Sequence, residues 1–444
     1  MSLLPDPKRR ATIIALGLPI IGGMASQNLL NIVDTAMVGT LGDVALAATG
    51  MGGFANFMAI SLIMGLSAGV QAIAARRFGE GKHDTLATAL NAGLIIAIVW
   101  AIPWMAALHA WAPDLFGLLL DDTSVVAEAV PYFRIRCLAA LGVGFNFAFR
   151  GYWNGINQPK LYMSTLVVAH ITNLFLNWVF IFGNLGAPEM GTSGAALAST
   201  IATYVASLTY IGLGVKLALN NGFLRSRPSK SDFKNLFRLT LPASIAQFFM
   251  ASGYTALMWI VGQTGTAEMA AANILLTVTL VAILPGLALG FVAASLVGQA
   301  LGRGDPDDAE AWGWDVVKIA CIGLGIFGIP MMVTPELILS GFLHEESTME
   351  LAVAPLRLVG ATIGIDAIGL VLLNAMYGAG NSRPVMVTGI VMQWFVGLPL
   401  AYLFGPVMGL GLLWIWGAMM VYRIGQSIIF ARMWKQKRWS EIAI

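Results

Sequence analysis

Apolar runs of about 20 residues, the length a helix needs to cross a bilayer, recur along the whole chain with short polar connections between them. They can be drawn at 11–38, 45–75, 86–109, 125–151, 160–183, 190–216, 235–262, 268–300, 311–334, 348–377, 384–404 and 408–434. The pattern predicts an all-α integral membrane protein with twelve transmembrane helices. Several runs are longer than the hydrocarbon layer requires, so tilt or protrusion into water is expected.

The pattern also repeats. Adding 223 to a first-half position carries Pro19 onto Pro242, Gly39 onto Gly262, Gly42 onto Gly265, Gly79 onto Gly302, Gly81 onto Gly304, Arg134 onto Arg357 and Gly155 onto Gly378. Two homologous six-helix bundles related by pseudo-two-fold symmetry follow: a first lobe over 1–222, a linker over 223–234 and a second lobe over 235–444. Membrane chains built from such repeats place a substrate pathway where the repeats meet, which makes transport the expected function.

Composition agrees. With 58% hydrophobic and 11% charged residues, the chain has too little polar surface to cover a water-soluble globule. Its cations gather on one side of the twelve-span model: Lys8, Arg9, Arg10, Arg76, Arg77, Lys82, Arg150, Lys160, Arg303, Arg383, the tail, and the linker from Lys216 through Arg225, Arg227, Lys230 and Lys234 to Arg238. The opposite loops hold Asp43, Asp114, Asp121, Asp122, Glu128, Glu189, Glu268, Glu336, Glu345, Glu346 and Glu350, with only Arg134, Arg136 and Arg357 near them. By the positive-inside rule both termini and the linker are cytoplasmic. The cations are used in setting topology, and no nucleic-acid partner is expected.

Cys137 and Cys321 fall inside predicted spans and form no disulfide framework. Lys8-Arg9-Arg10 before an apolar run has the look of a secretory leader, yet the run is too long, lacks a small-residue cleavage site and holds the repeat-matched Pro19, so it is read as a retained first span. Gly65-Leu66-Ser67-Ala68-Gly69 and the glycine pattern from Gly323 to Gly328 fit hydrolase and dinucleotide motifs. Both sit within spans, without the strand and turn those mechanisms demand. No catalytic set, metal set, cofactor motif or nucleotide-hydrolysing domain is recognised. Any energy for transport is expected from an ion gradient.

Only Asp34 and Asp366 are carboxylates well inside spans, where charge is costly and functional by default. Gln27, Asn31, Asp34 and Thr35 share one face of the first span, and His170, Asn173 and Asn177 share one face of the fifth. Together these faces would surround one acid with amides. Lost hydration favours the neutral acid and amide donors favour the charged one; if lost hydration wins, Asp34 titrates near physiological pH, as a proton-coupled transporter requires. The alternative is that Asp34 only ties the two spans together. Asp366, whose first-lobe counterpart is Val143, is open to two readings, a second ion site or a buried structural acid. Pro19 and Pro242 interrupt the first span of each lobe, as fixed kinks or, for Pro19, as a hinge that responds to Asp34.

Leu18-Pro19, the stretch from Asn31 to Thr35, Val38-Gly39, the turn Phe78-Gly79-Glu80-Gly81, Arg150-Gly151 and the stretch from Asn374 to Asn381 resemble the multidrug and toxic compound extrusion family over essentially the whole chain. The likeness is to its DinF-like branch. That resemblance implies a multidrug antiporter of the bacterial inner membrane, a monomer among membrane lipids, exporting small cationic or amphipathic drugs in exchange for protons or, alternatively, sodium. It implies a first-lobe ion site in which Asp34, Asn173 and Tyr132 match the branch's residues, while Asn177 stands where archaeal relatives carry a second acid. The NorM-like branch pairs a glutamate with an aspartate in the second lobe. Asp366 matches the aspartate, but Met250 replaces the glutamate. A lipid-precursor flippase is the more distant alternative.

Overall fold

A computed structural model describes residues 4–120, 122–343 and 345–444. Asp121, one of the acids assigned to the acidic loops, lies outside the described residues. In chain order the helices are α1 (Pro7–Gly39), α2 (Asp43–Met64), α3 (Leu66–Gly79), α4 (Thr88–Leu119), α5 (Thr123–Cys137), α6 (Ala140–Gly155), α7 (Pro159–Phe182), α8 (Gly191–Leu217), α9 (Lys230–Gly262), α10 (Thr266–Gly302), α11 (Pro306–Val333), α12 (Pro335–Leu339), α13 (Glu346–Gly378), α14 (Ser382–Ile390), α15 (Leu398–Tyr402) and α16 (Leu412–Lys435). No strand occurs among the described residues.

Among the described residues, eleven helical stretches are long and apolar enough to cross a membrane. The twelfth predicted span is the α5–α6 pair, which a turn at Leu138 and Ala139 splits into helices of 15 and 16 residues, each too short to cross alone. Arg150, assigned by its sequence position to the basic side, stands within α6, where its Nε donates to Ser67 Oγ at 3.1 Å and its guanidinium lies 4.5 Å from the Phe147 ring centre. Local chemistry explains the element ends. Asp122 caps α5 by accepting from Ser124 N at 2.8 Å and Ser124 Oγ at 2.6 Å, and these bonds hold its carboxyl below the usual carboxylate range. Gly81 and Gly304 turn the chain with φ of 71° and 76° at repeat-matched positions, which only glycine tolerates freely.

Packing divides the chain into two compact units, Gly22–Ser244 and the combination of Met1–Ile21 with Ile245–Ile444. The boundaries fall inside α1 and α9, two residues after Pro19 and Pro242, at positions that the repeat also matches. Each unit therefore includes the first part of the helix that opens the other repeat.

Within Gly22–Ser244, α3 packs on α6. A Cβ on Gly155 would stand 2.9 Å from the Gln71 carbonyl oxygen. Within the other unit α10 packs on α13, and Gly378 meets the Ala294 carbonyl, the same pair shifted by 223. Small residues at these crossings let the backbones approach closely. The first turns of α1 are fastened to α11 in that unit: Arg9 Nη1 donates to Asp315 Oδ2 at 2.6 Å, Arg9 also pairs with Asp308, and its guanidinium lies 4.1 Å from the Trp312 ring centre.

Candidate functional site

The site is assembled by α1 and α7 within the unit Gly22–Ser244. α7 starts with Pro159 in its first turn, where proline's missing N–H costs nothing, and ends at Gly183 in the left-handed region with φ of 70°. Between these ends Asn173 and Asn177, one turn apart, are buried on the face toward α1. Asp34 Oδ1 accepts from Asn177 Nδ2 at 2.6 Å. Asn177 Nδ2 also donates to Asn173 Oδ1 at 3.1 Å, and Asn173 Nδ2 donates to Ser199 Oγ of α8 at 3.0 Å. Turned over, the Asn173 amide donates to Asp34 Oδ1 at 2.9 Å while its oxygen accepts from Ser199 Oγ at 3.0 Å. The hydrogen-bond network, which fixes amide orientation, admits Asn173 as a direct partner of the acid.

Two features set the electrostatics. Asp34 has no ion pair among the described residues. The charge that acts on it is Arg136 of α5, whose Nε is buried without a hydrogen-bond partner. In addition, Asn177 Oδ1 is buried and unpaired, a condition that costs roughly 1–3 kcal/mol. The pocket thus holds a carboxylate, two amides and an unused acceptor.

Not every predicted member joins it. Gln27 and Asn31 form a separate, exposed group: Gln27 Nε2 donates to Asn31 Oδ1 at 3.2 Å, and Gln27 Oε1 lies 3.1 Å from His170 Nε2. Tyr132 packs beside the pocket, against the ring-sized gap left by Gly52 and the small cluster of Val38, Ala45, Ile181 and Ala195, with no hydrogen bond to Asp34. Ser199 and Arg136 were missed in the sequence. Arg136 resembled a loop cation, and a lone serine in an apolar span carries no signal of its own.

In the other unit Asp366 of α13 is engaged by Arg423 of α16. Arg423 Nε donates to Asp366 Oδ1 at 3.0 Å and Arg423 Nη2 pairs with Oδ2, so both carboxylate oxygens face one guanidinium. Each side chain is 12% exposed. Met250, at the position the NorM-like pattern gives to glutamate, receives a bond at its carbonyl from Gln393 Nε2 at 3.3 Å.

A helical membrane chain made of two repeats, with an ion-pair-free carboxylate held by amides inside one of them, defines a multi-pass transporter. The MatE family model matches residues 19–179 and 242–403, two segments whose starts are 223 residues apart, as the repeat requires. The chain belongs to the MatE family. It is similar to the probable multidrug resistance protein NorM of Mesorhizobium japonicum, 26% identical over 422 residues that cover 92% of this chain and 89% of that protein. It is also similar to the probable multidrug resistance protein NorM of Thermotoga maritima, 23% identical with 99% and 95% covered. A MATE protein solved in the straight conformation superposes with a TM-score of 0.88 at 22% identity, covering 98% of this chain and 96% of that one. The outward-facing conformation of a multidrug resistance MATE family transporter of the MOP superfamily superposes at 0.87 with 23% identity, covering 99% and 98%. Twelve transmembrane helices in two lobes are the architecture of these neighbours, as the apolar pattern and the repeat predict.

Proposed function

We propose that the protein exports small organic drugs, cationic or amphipathic, across a bacterial inner membrane in exchange for protons by alternating access, with Asp34 carrying the proton. Drug efflux is supported by relatives named multidrug resistance protein NorM and by the likeness to MATE transporters. The observation that carries the coupling is the pocket itself, in which an acid without an ion pair faces amides that can present either a donor or an acceptor.

Ionised, Asp34 accepts from Asn177 and, in the turned orientation, from Asn173. Protonated, it loses part of its acceptor capacity and gains an O–H, which an amide oxygen receives. Asn177 Oδ1, buried and unpaired, is such an acceptor once its amide turns. The two protonation states therefore prefer different packing of α1 on α7, and a preference of this kind is what lets a proton shift a conformational equilibrium. Pro19 supplies a bend in α1. The DinF-like assignment is supported by Asp34 with Asn173, and by a second-lobe acid already paired with Arg423.

Drug-driven flux in proteoliposomes tests the reading, with proton and sodium gradients imposed separately. A proton gradient alone is expected to drive drug uptake, and Asp34→Asn is expected to reduce it to the level of empty liposomes while the protein still folds and inserts. Flux driven by sodium alone and abolished by the same variant moves the coupling ion to sodium. Undiminished flux in Asp34→Asn removes Asp34 from the mechanism.

A further inference from the structure

α4 and the first turns of α9, both within Gly22–Ser244, enclose an open groove of about 720 Å³, within the size range of small-molecule sites. Its walls are apolar and aromatic: Ile95, Val99, Trp100 and Trp104 from α4, Phe233 and Phe237 from α9. Pro103, inside α4, also lines it. Trp104 is held in place by donating Nε1–H to the Ala59 carbonyl at 3.1 Å. Val99 is 68% exposed and Phe237 55% exposed.

The α9 side of the groove is flanked by cations. Lys230 lies three residues before Phe233, and Lys234 three before Phe237, so both stand on or beside the groove face. Arg225, Arg227 and Arg238 are close in the chain, and all five cations are exposed. None of the five has a carboxylate partner among the described residues, although Arg77, Lys82, Arg303 and Lys437 on the same side of the topology do. The connection carrying them is fixed. Asn91 of α4 donates Nδ2 to the Gly222 and Ser226 carbonyls at 2.9 and 2.8 Å, and Arg77 pairs with Asp232 at 2.5 Å. An apolar slot with unneutralised cations beside it matches one kind of molecule, an acyl chain carrying an anionic headgroup.

We propose that this groove is a binding site for an anionic phospholipid, its acyl chain against Trp100, Trp104 and Phe237 and its phosphate at Lys230, Lys234 and Arg238. Clustered Lys and Arg beside a membrane helix attract anionic lipid, and the concave wall confines one chain. The site is separate from Asp34 and stands whether or not that acid couples transport.

Spin-labelled phosphatidylglycerol and phosphatidylcholine of the same chain length are compared for motionally restricted signal in liposomes containing the full protein. Phosphatidylglycerol is expected to be restricted about tenfold more strongly. The preference is expected to be lost in the combined Lys230→Gln, Lys234→Gln, Arg238→Gln variant and in Val99→Trp, which fills the groove. Lys160→Gln with Arg383→Gln, exposed cations that do not line the groove, is expected to keep the preference. Equal restriction of both lipids overturns the proposal, as does equal loss in the control variant, or a preference that survives Val99→Trp. Displacement of both lipids alike by a lipophilic drug would give the groove to the drug and overturn it too.

Discussion

Asp34 and Asp366 are both carboxylates within spans, and their different partners give them different consequences on substitution. Arg423 meets both oxygens of Asp366, so removing the acid strands a guanidinium in a largely buried position. Stranding one member of a buried pair costs roughly 3–5 kcal/mol. Asp366→Asn is therefore expected to lower the thermal unfolding midpoint strongly, and Asp366→Asn combined with Arg423→Gln to recover much of the loss. A double-mutant cycle on purified protein measures this, and additive losses would deny the pair. Asp34→Asn, whose partners are neutral amides, is expected to change stability little and transport completely. Asp34, Asn173 and Asn177 were legible because each helix shows its polar residues on one face. Arg423 was not, because it meets Asp366 across 57 residues of sequence, and spacing within spans carries no register between them.

At the level of helix pairs, the repeat records how the two lobes solved one packing problem differently. In the first, Gly151 of α6 lies against the Ser67 backbone of α3. In the second, the corresponding positions hold Asn374 and Gly290, and a Cβ on Gly290 would lie 2.6 Å from Asn374 Nδ2. The glycine has changed helices. Gly290→Ser is expected to destabilise by about 1–3 kcal/mol through overpacking, and Asn374→Gly in the same chain to restore stability by recreating the first-lobe pair. Unfolding midpoints of the two variants decide it, with no rescue as the adverse result. α1 offers a second test on this scale. If protonation of Asp34 repacks α1 on α7, labels at the exposed Leu29 and Ile171 should change separation with pH, and the change should vanish in Asp34→Asn. A pH response unaltered by that variant would place the switch at another group, with His170 the nearest histidine on α7.

For the chain as a whole, apolar run length and the 223-residue repeat were enough to give helix number and order, because the bilayer fixes span length and homologous lobes repeat their glycines. The division into compact units was not legible. It depends on which repeat the opening turns of α1 and α9 pack with, and both helices read as continuous apolar runs through Pro19 and Pro242. Orientation rests on charge alone, so it needs its own measurement. With Cys137 and Cys321 replaced by alanine, Arg227→Cys and Glu346→Cys place single thiols on the exposed linker and at the exposed start of α13. Ser229 is the poorer choice in the linker, because its Oγ accepts from Asp232 N at 3.2 Å and caps α9. The positive-inside rule puts the linker in the cytoplasm. An impermeant maleimide applied to intact cells is therefore expected to label the thiol at 346 and spare that at 227, which should react only after the membrane is opened. The opposite pattern would invert the protein, and with it the leaflet that supplies lipid to the groove beside α4.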